Sequence, residues 1–178
     1  MDGRRRSSGV GRGLRLCGLL GVVAATAAAC AAVAAGGAPA PIGSMTIARI
    51  HLKTPIYGQA TDAMLAYGPG HYADTNMPGT GHGIVAFAGH RVTPVGGRPY
   101  GPFRYIDRLR RGDAISISRQ YSGRLMTFRY VVFKTEVVRP TFVSWLEQEP
   151  AVETLVLSSC TPPGSATYRI LVFARRVS

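Results

Sequence analysis

From Ser44 onward the chain is a succession of short runs rich in Val, Ile, Phe and Tyr, each cut off by Gly or Pro: "SMTIARIHL", "GIVAFAGH", "DAISISR", "MTFRYVVFKTEVV", "TLVLSSC" and "YRILVFARRV". A parallel βαβ sheet needs helical crossovers of ten or more residues, and no such stretch separates these runs. An all-β chain with many turns is what remains. The expected architecture is a closed β-barrel with short helices in its loops, at Asp62–Tyr67, Gly101–Leu109 and Ser144–Glu149.

A length of 178 residues suits one core and not two. The first forty residues differ from the rest. Five arginines lie between Arg4 and Arg15, and Leu16 to Gly36 follows without a charge, a basic flank before a segment of membrane-spanning length. The segment is mostly alanine, so it suits a retained signal-anchor, a signal peptide cleaved near Ala32-Val33-Ala34, or lipidation at Cys30. Each of these exports the remainder. The expected organisation is therefore a basic N-terminus, membrane segment and "GGAPAPIG" linker over 1–40, and an exported domain over 41–178. A retained anchor puts the chain in the cell membrane as a single-pass protein with that domain outside.

The chain has 21 basic and 9 acidic residues, and the first forty hold five of the former and Asp2. From Pro41 onward this leaves 16 against 8, a charge of +8. Basic surfaces favour anionic partners. For an exported chain these belong to the cell envelope, and the sequence has no RNP, zinc-finger or recognition-helix signature, so nucleic acid is not expected.

Of the three cysteines, Cys17 and Cys30 fall in or beside the membrane segment, which leaves Cys160 as the one thiol of the domain. It cannot form an internal disulfide, so it is either buried and inert or kept for its reactivity. If Thr154–Cys160 and Thr167–Arg175 form a hairpin, Cys160 and Arg169 lie opposite each other and project to one face. A reactive thiol also needs a proton carrier. Among His51, His71, His82 and His90, the last is best placed, because it ends "GIVAFAGHR" where apolar residues give way to a polar loop.

Three separated motifs, "AGHR", "PFRYIDRLRRGDAISI" and "TLVLSSCTPPGSATYRILVFAR", resemble in order and spacing the sortases of Gram-positive bacteria, the cysteine transpeptidases of the cell surface. The resemblance extends from about Ile47 to Ala174 and is strongest to class E and class D enzymes. It implies an eight-stranded β-barrel with His90, Cys160 and Arg169 as the catalytic residues. It also implies cleavage of an LPxTG- or LAxTG-type C-terminal sorting motif after its Thr, through a thioacyl-enzyme, and transfer to an amine of a cell-wall precursor or pilin. Cys160 would be the nucleophile and His90 the acid and then the base. Arg169 would bind the oxyanion or hold the substrate backbone. Surface proteins carrying the sorting signal, the amine acceptor and the membrane are the implied partners. Many sortases have Thr before the cysteine, where this chain has Ser159.

No cofactor or metal is expected, since there is no Cys-x-x-Cys, His82 and His90 are separated by a strand, and the acidic residues lack a Ca²⁺-loop spacing. An L,D-type transpeptidase would need Gly immediately before the cysteine and His two before it, where Ser159 and Ser158 stand. The alternative from another class is a non-catalytic basic barrel that binds anionic wall polymer, with Cys160 an inert core thiol.

Overall fold

The computed structural model describes residues 38–92 and 100–178. The expected basic N-terminus and membrane segment fall on residues 1–37, outside the described residues. Among the described residues no helix is long and apolar enough to cross a membrane.

Eight strands form one sheet: β1 Gly43–Ile47, β2 Leu52–Ile56, β3 Gly70–His71, β4 Ile84–Ala88, β5 Ala114–Tyr121, β6 Arg124–Val138, β7 Thr154–Thr161 and β8 Tyr168–Arg176. Their order is β2-β1-β5-β6-β8-β7-β4-β3. The two ends of this sheet meet through a bridge between Tyr57 and Gly70, where Tyr57 N donates to Pro69 O (2.8 Å) and His71 N donates to Tyr57 O (2.9 Å). The sheet thereby curls into the expected barrel, nearly closed at this bridge.

Local chemistry explains several element boundaries. "SMTIARIHL" is two strands and not one, because Ala48–Ile50 forms a 3-10 turn closed by His51 at φ +52°, which reverses the chain so that Ile47 pairs with Leu52. The turn between β5 and β6 places Ser122 and Gly123 at φ +49° and +76°, the left-handed pair that a two-residue hairpin needs. Pro55 sits in β2, an outer strand of the sheet order, where a missing N–H is tolerated. The expected helix at Asp62–Tyr67 is a single turn, α1 Asp62–Leu65, capped by Thr61. Only Ile106–Arg108 of the second is helical, as a 3-10 turn. Residues Ser144–Glu149 contain turns and no helix. There Trp145 is drawn down onto the sheet, and this burial takes precedence over helical hydrogen bonding.

Two apolar clusters follow from strand alternation. Val85, Phe87, Leu155, Leu157, Ile170 and Val172 point into the barrel with Phe103, Phe128 and Tyr130. Their neighbours Ile84, Ala86, Val156, Leu171 and Phe173 point outward, where the connection between β6 and β7 lays Trp145 and Leu146 across them. β4 and β7 are thus buried on both faces and read as continuous apolar runs. Each fully buried large side chain contributes about 1.5–3 kcal/mol.

Candidate active site

Cys160 ends the apolar run of β7, half-buried and with a free thiol. It pairs with Arg169 in the antiparallel register of β7 and β8, as the sequence predicts. Alternation along β7 from Val156 through Ser158 places Cys160 on the outer face, and alternation along β8 from Leu171 does the same for Arg169. The thiol therefore faces the outer surface, at the partly exposed end of β7, and not the barrel lumen.

β4 runs parallel to β7 with Ala88 opposite Ser158, and Gly89 N extends the ladder by donating to Ser158 O (3.0 Å). Two further steps bring His90 level with Cys160. A Cβ on Gly89 would collide with the ring of Phe103 in the barrel core, so position 89 faces inward and its neighbour His90 faces outward. Gly101 is held to glycine for a similar reason. The chain folds back over His90 so closely that a Cβ there would strike the His90 carbonyl, and Phe103 N donates to that same carbonyl (2.9 Å). Cys160, Arg169 and His90 thus lie in one row across β8, β7 and the end of β4, on one face.

The row is not a hydrogen-bonded triad in this state. Arg169 Nη1 donates to Ala166 O (3.1 Å) and Tyr168 O (3.2 Å), both in its own hairpin. Of its five N–H groups these use two, leaving three for a ligand. Among the described residues no hydrogen bond joins His90 to Cys160.

The other histidines are occupied differently. His51 closes a turn. His82 is exposed and lies 3.8 Å from the Glu149 carboxylate. His71 is buried against Phe87, with Nε2 2.9 Å from Asn76 O, and burial holds its pKa below the ordinary value despite that contact.

Three residues beside the row carry more than sequence reasoning assigned to them. Ser159 points inward, is buried, and donates to Gly89 O, tying β7 to the end of β4. The second is Arg91, 5% exposed. Its Nε donates to Arg104 O (3.2 Å), Nη1 to Thr161 Oγ1 (3.2 Å), and Nη2 contacts Asp107 Oδ1 (2.8 Å). It therefore fastens the residue after His90 to the residue after Cys160. Its position directly after the histidine in "AGHR" was the available signal, since a buried guanidinium requires partners.

The third is Glu153, fully buried at the opposite end of β7 from Cys160. Its carboxylate accepts from Gly79 N (3.1 Å), Gly81 N (2.6 Å) and the Tyr130 hydroxyl, and it pairs with Arg176 Nη1 (3.3 Å). Burial and the bond to Glu153 push the Tyr130 phenol far above its ordinary range. The cluster fixes the connection between β3 and β4 and has no place in the row. Among the described residues no three His, Cys, Asp or Glu side chains converge as metal ligands.

The Sortase domain model matches residues 45–177. Sortase D of Bacillus subtilis is 30% identical over 140 residues, which cover 76% of this chain and 64% of that protein. Sortase SrtE1 of Streptomyces coelicolor is 33% identical over 124 residues, covering 61% of this chain and 32% of that one. The chain thus spans less than two thirds of either relative. Among solved structures, sortase C-1 of Actinomyces oris superposes with a TM-score of 0.67 at 28% identity, covering 78% of this chain and 76% of the other. A lid mutant of sortase A from Corynebacterium diphtheriae gives 0.66 at 28% identity, with 81% and 73% covered. With the family model spanning the whole barrel, from Met45 in β1 to Val177 just past β8, the chain belongs to the sortase family.

Proposed function

We propose that the protein is a cell-surface cysteine transpeptidase that cleaves an LPxTG- or LAxTG-type sorting motif after its Thr and passes the acyl group to an amine. The observation that carries this reading is the row of Arg169, Cys160 and His90, all partly exposed, on the outer face of a sortase barrel. The half-buried thiol also favours it over the binding-module alternative, which needs an inert core cysteine.

The chemistry follows from the row. The Cys160 thiolate attacks the Thr carbonyl, and the oxygen that gains charge is met by the three N–H groups of Arg169 that its hairpin leaves unused. Collapse expels the following residue's amine, which takes a proton from His90 and leaves a thioester. His90, now neutral, accepts a proton from the incoming amine as that nitrogen displaces the thiolate. No cofactor is required. The basic and apolar N-terminal sequence supports a location at the membrane with the barrel outside.

Mass spectrometry of the protein with LPxTG-type and LAxTG-type peptides, alone and with an oligoglycine or diaminopimelate-type amine, tests the proposal. A thioacyl adduct on Cys160 and an amide product with the amine are expected. A protein that neither forms the adduct nor cleaves either peptide, while its folded thiol resists alkylation, would be the binding module instead.

A further inference from the structure

The hairpin of β5 and β6 turns through "YSGRLM", Tyr121–Met126, and carries two adjacent apolar side chains in water. Leu125 is 70% exposed, the highest value for a large apolar side chain among the described residues, and Met126 is 41% exposed. Strand alternation sends Met126 along the face of Phe128, past the end of the core, and Leu125 along the outer face. Neither packs against the barrel.

The surroundings of this tip are cationic. Arg124 and Arg129 are exposed, and among the described residues neither has a carboxylate within ion-pair distance. No Asp or Glu occurs on β1 or β2, nor anywhere between Asp113 and Glu136 on β5 and β6. Bare apolar side chains flanked by arginines and by a half-buried tyrosine, Tyr121, are the composition of a contact with the boundary of an anionic bilayer.

Topology brings the tip to the place where the chain enters the barrel. Gly43, the first residue of β1, pairs with Arg119 of the antiparallel β5. Gln120, Tyr121 and Ser122 carry the hairpin about 10 Å past that pair, toward the side from which the chain enters β1. Ahead of Gly43 stands "GGAPAPIG", whose prolines favour an extended backbone, and the charge-free run Leu16–Gly36 ends seven residues before Gly43. Seven extended residues span at most about 25 Å. Lipid headgroups take up roughly 5–7 Å of this and the projecting hairpin about 10 Å. A lean of the stalk closes the remainder.

We propose that the tip of the β5–β6 hairpin is a membrane contact that seats the barrel on an anionic phospholipid surface. Leu125 and Met126 enter the boundary between headgroups and acyl chains, and Arg124 and Arg129 meet the phosphates. This rests on the membrane location proposed above. A stalk alone leaves a barrel free to swing, whereas a second point of attachment fixes the direction in which the row of Arg169, Cys160 and His90 faces.

The test reconstitutes the full chain into vesicles of phosphatidylcholine, alone or mixed with phosphatidylglycerol, with brominated acyl chains as contact quenchers of indole fluorescence. Leu125→Trp reports on the tip. The native protein, whose one tryptophan is the buried Trp145, and Val143→Trp, at an exposed position between β6 and β7, report on other surfaces. In the anionic vesicles Leu125→Trp should be quenched and the other two should not. Arg124→Gln or Arg129→Gln, added to Leu125→Trp, should each lower the docked-to-undocked ratio about fivefold, and vesicles of phosphatidylcholine alone should lower it further. All these positions are exposed, so urea unfolding midpoints near the native value are expected and verify the fold. A chain that floats with the vesicles while the indole at position 125 stays unquenched overturns the contact and leaves the membrane location standing; a chain that does not float overturns both. Equal quenching at positions 125 and 143, or in neutral and anionic vesicles, overturns the site as well. Blue-shifted emission at position 125 without quenching would put a protein surface there, such as a second copy of the chain, in place of lipid.

Discussion

Arg91 and Thr161, each one residue past a proposed reacting side chain and 70 positions apart in the chain, are joined by a 3.2 Å hydrogen bond. The bond fixes the spacing between the end of β4 and the end of β7, and so between His90 and Cys160. Arg91→Met should therefore act twice. It strips Thr161 and the Arg104 carbonyl of a buried donor and the half-exposed Asp107 of its cation, costing about 1–3 kcal/mol of stability, and it lowers kcat more than KM at temperatures where the protein is still folded. Arg91→Lys, which keeps one charge but not the fork, should restore part of the stability and part of kcat. Urea unfolding and steady-state kinetics on both variants check this; equal kcat in all three folded proteins would make Arg91 purely structural.

Cys160→Ala should abolish transpeptidation and leave the unfolding midpoint nearly unchanged, because one sulfur atom is removed from the partly exposed end of β7. His90→Ala should cost about 10²–10⁴-fold in rate. His82→Ala, remote from the row and exposed, should remain active. A kinetic comparison of the two histidine variants decides which imidazole moves the proton, and an inactive His82→Ala beside an active His90→Ala reverses the assignment.

Arg169→Lys should lose about 10²–10³-fold in kcat with a smaller change in KM, since a point-like ammonium lacks the planar fork that anchors Nη1 on the hairpin carbonyls while presenting Nε and Nη2 to a developing oxyanion. Arg175→Lys, further along β8, should stay within about threefold of the native rate. Parallel steady-state measurements of the two variants provide the comparison, and matching native rates in both would remove Arg169 from the row.

His71 sets a pH dependence of stability. Burial lowers its folded pKa below the unfolded value of 6.5, so the unfolded chain binds the extra proton first. Stability contributed by the neutral ring is complete above that value and falls as pH drops below it, down to the folded pKa. Since His71 pairs with Tyr57 where the barrel closes, the loss should be accompanied by lower amide protection factors, measured against the intrinsic rate at each pH, at Tyr57 and His71. His71→Gln should flatten the slope between pH 7 and 5 in denaturant titrations; an unchanged slope would assign it to other groups.

Glu153→Gln tests the distal cluster. The amide retains one acceptor for Gly79, Gly81 and Tyr130 together and leaves Arg176 without its anion, which costs about 3–5 kcal/mol. Exchange of the Gly79 and Gly81 amides should accelerate, while hydrolysis of the donor peptide by the folded fraction should change little.

What the sequence discloses here and what it conceals follow from the range of the interactions. The hairpin of β7 and β8 is legible because both strands are buried on both faces and read as unbroken apolar runs, so the opposition of Cys160 and Arg169 follows by counting. His90 is legible as the place where such a run stops. The two-residue β3 is not, because Gly70–His71 gains its strand character only from Tyr57 and β4. The turn at Ala48–Ile50 hides inside an apparently continuous strand pattern, since only His51 at positive φ breaks it. Ser144–Glu149 has helical composition, but Trp145 gains more from the outer face of the sheet. The partners of Arg91 and Glu153 come from segments far apart in the chain, where no local pattern announces them.

The last strand in sequence, Tyr168–Arg176, is an inner strand of the sheet, lodged between β6 and β7. During synthesis, the strands before it can form hairpins at one side of the sheet, but β7, which carries Cys160, has no antiparallel neighbour until β8 has been made. Closure is thus a late, long-range event of the kind that slows folding. Cys160 therefore gains Arg169 as its neighbour only once β8 has docked. Loss of β8 alone would leave Cys160 in place and the barrel open between β6 and β7.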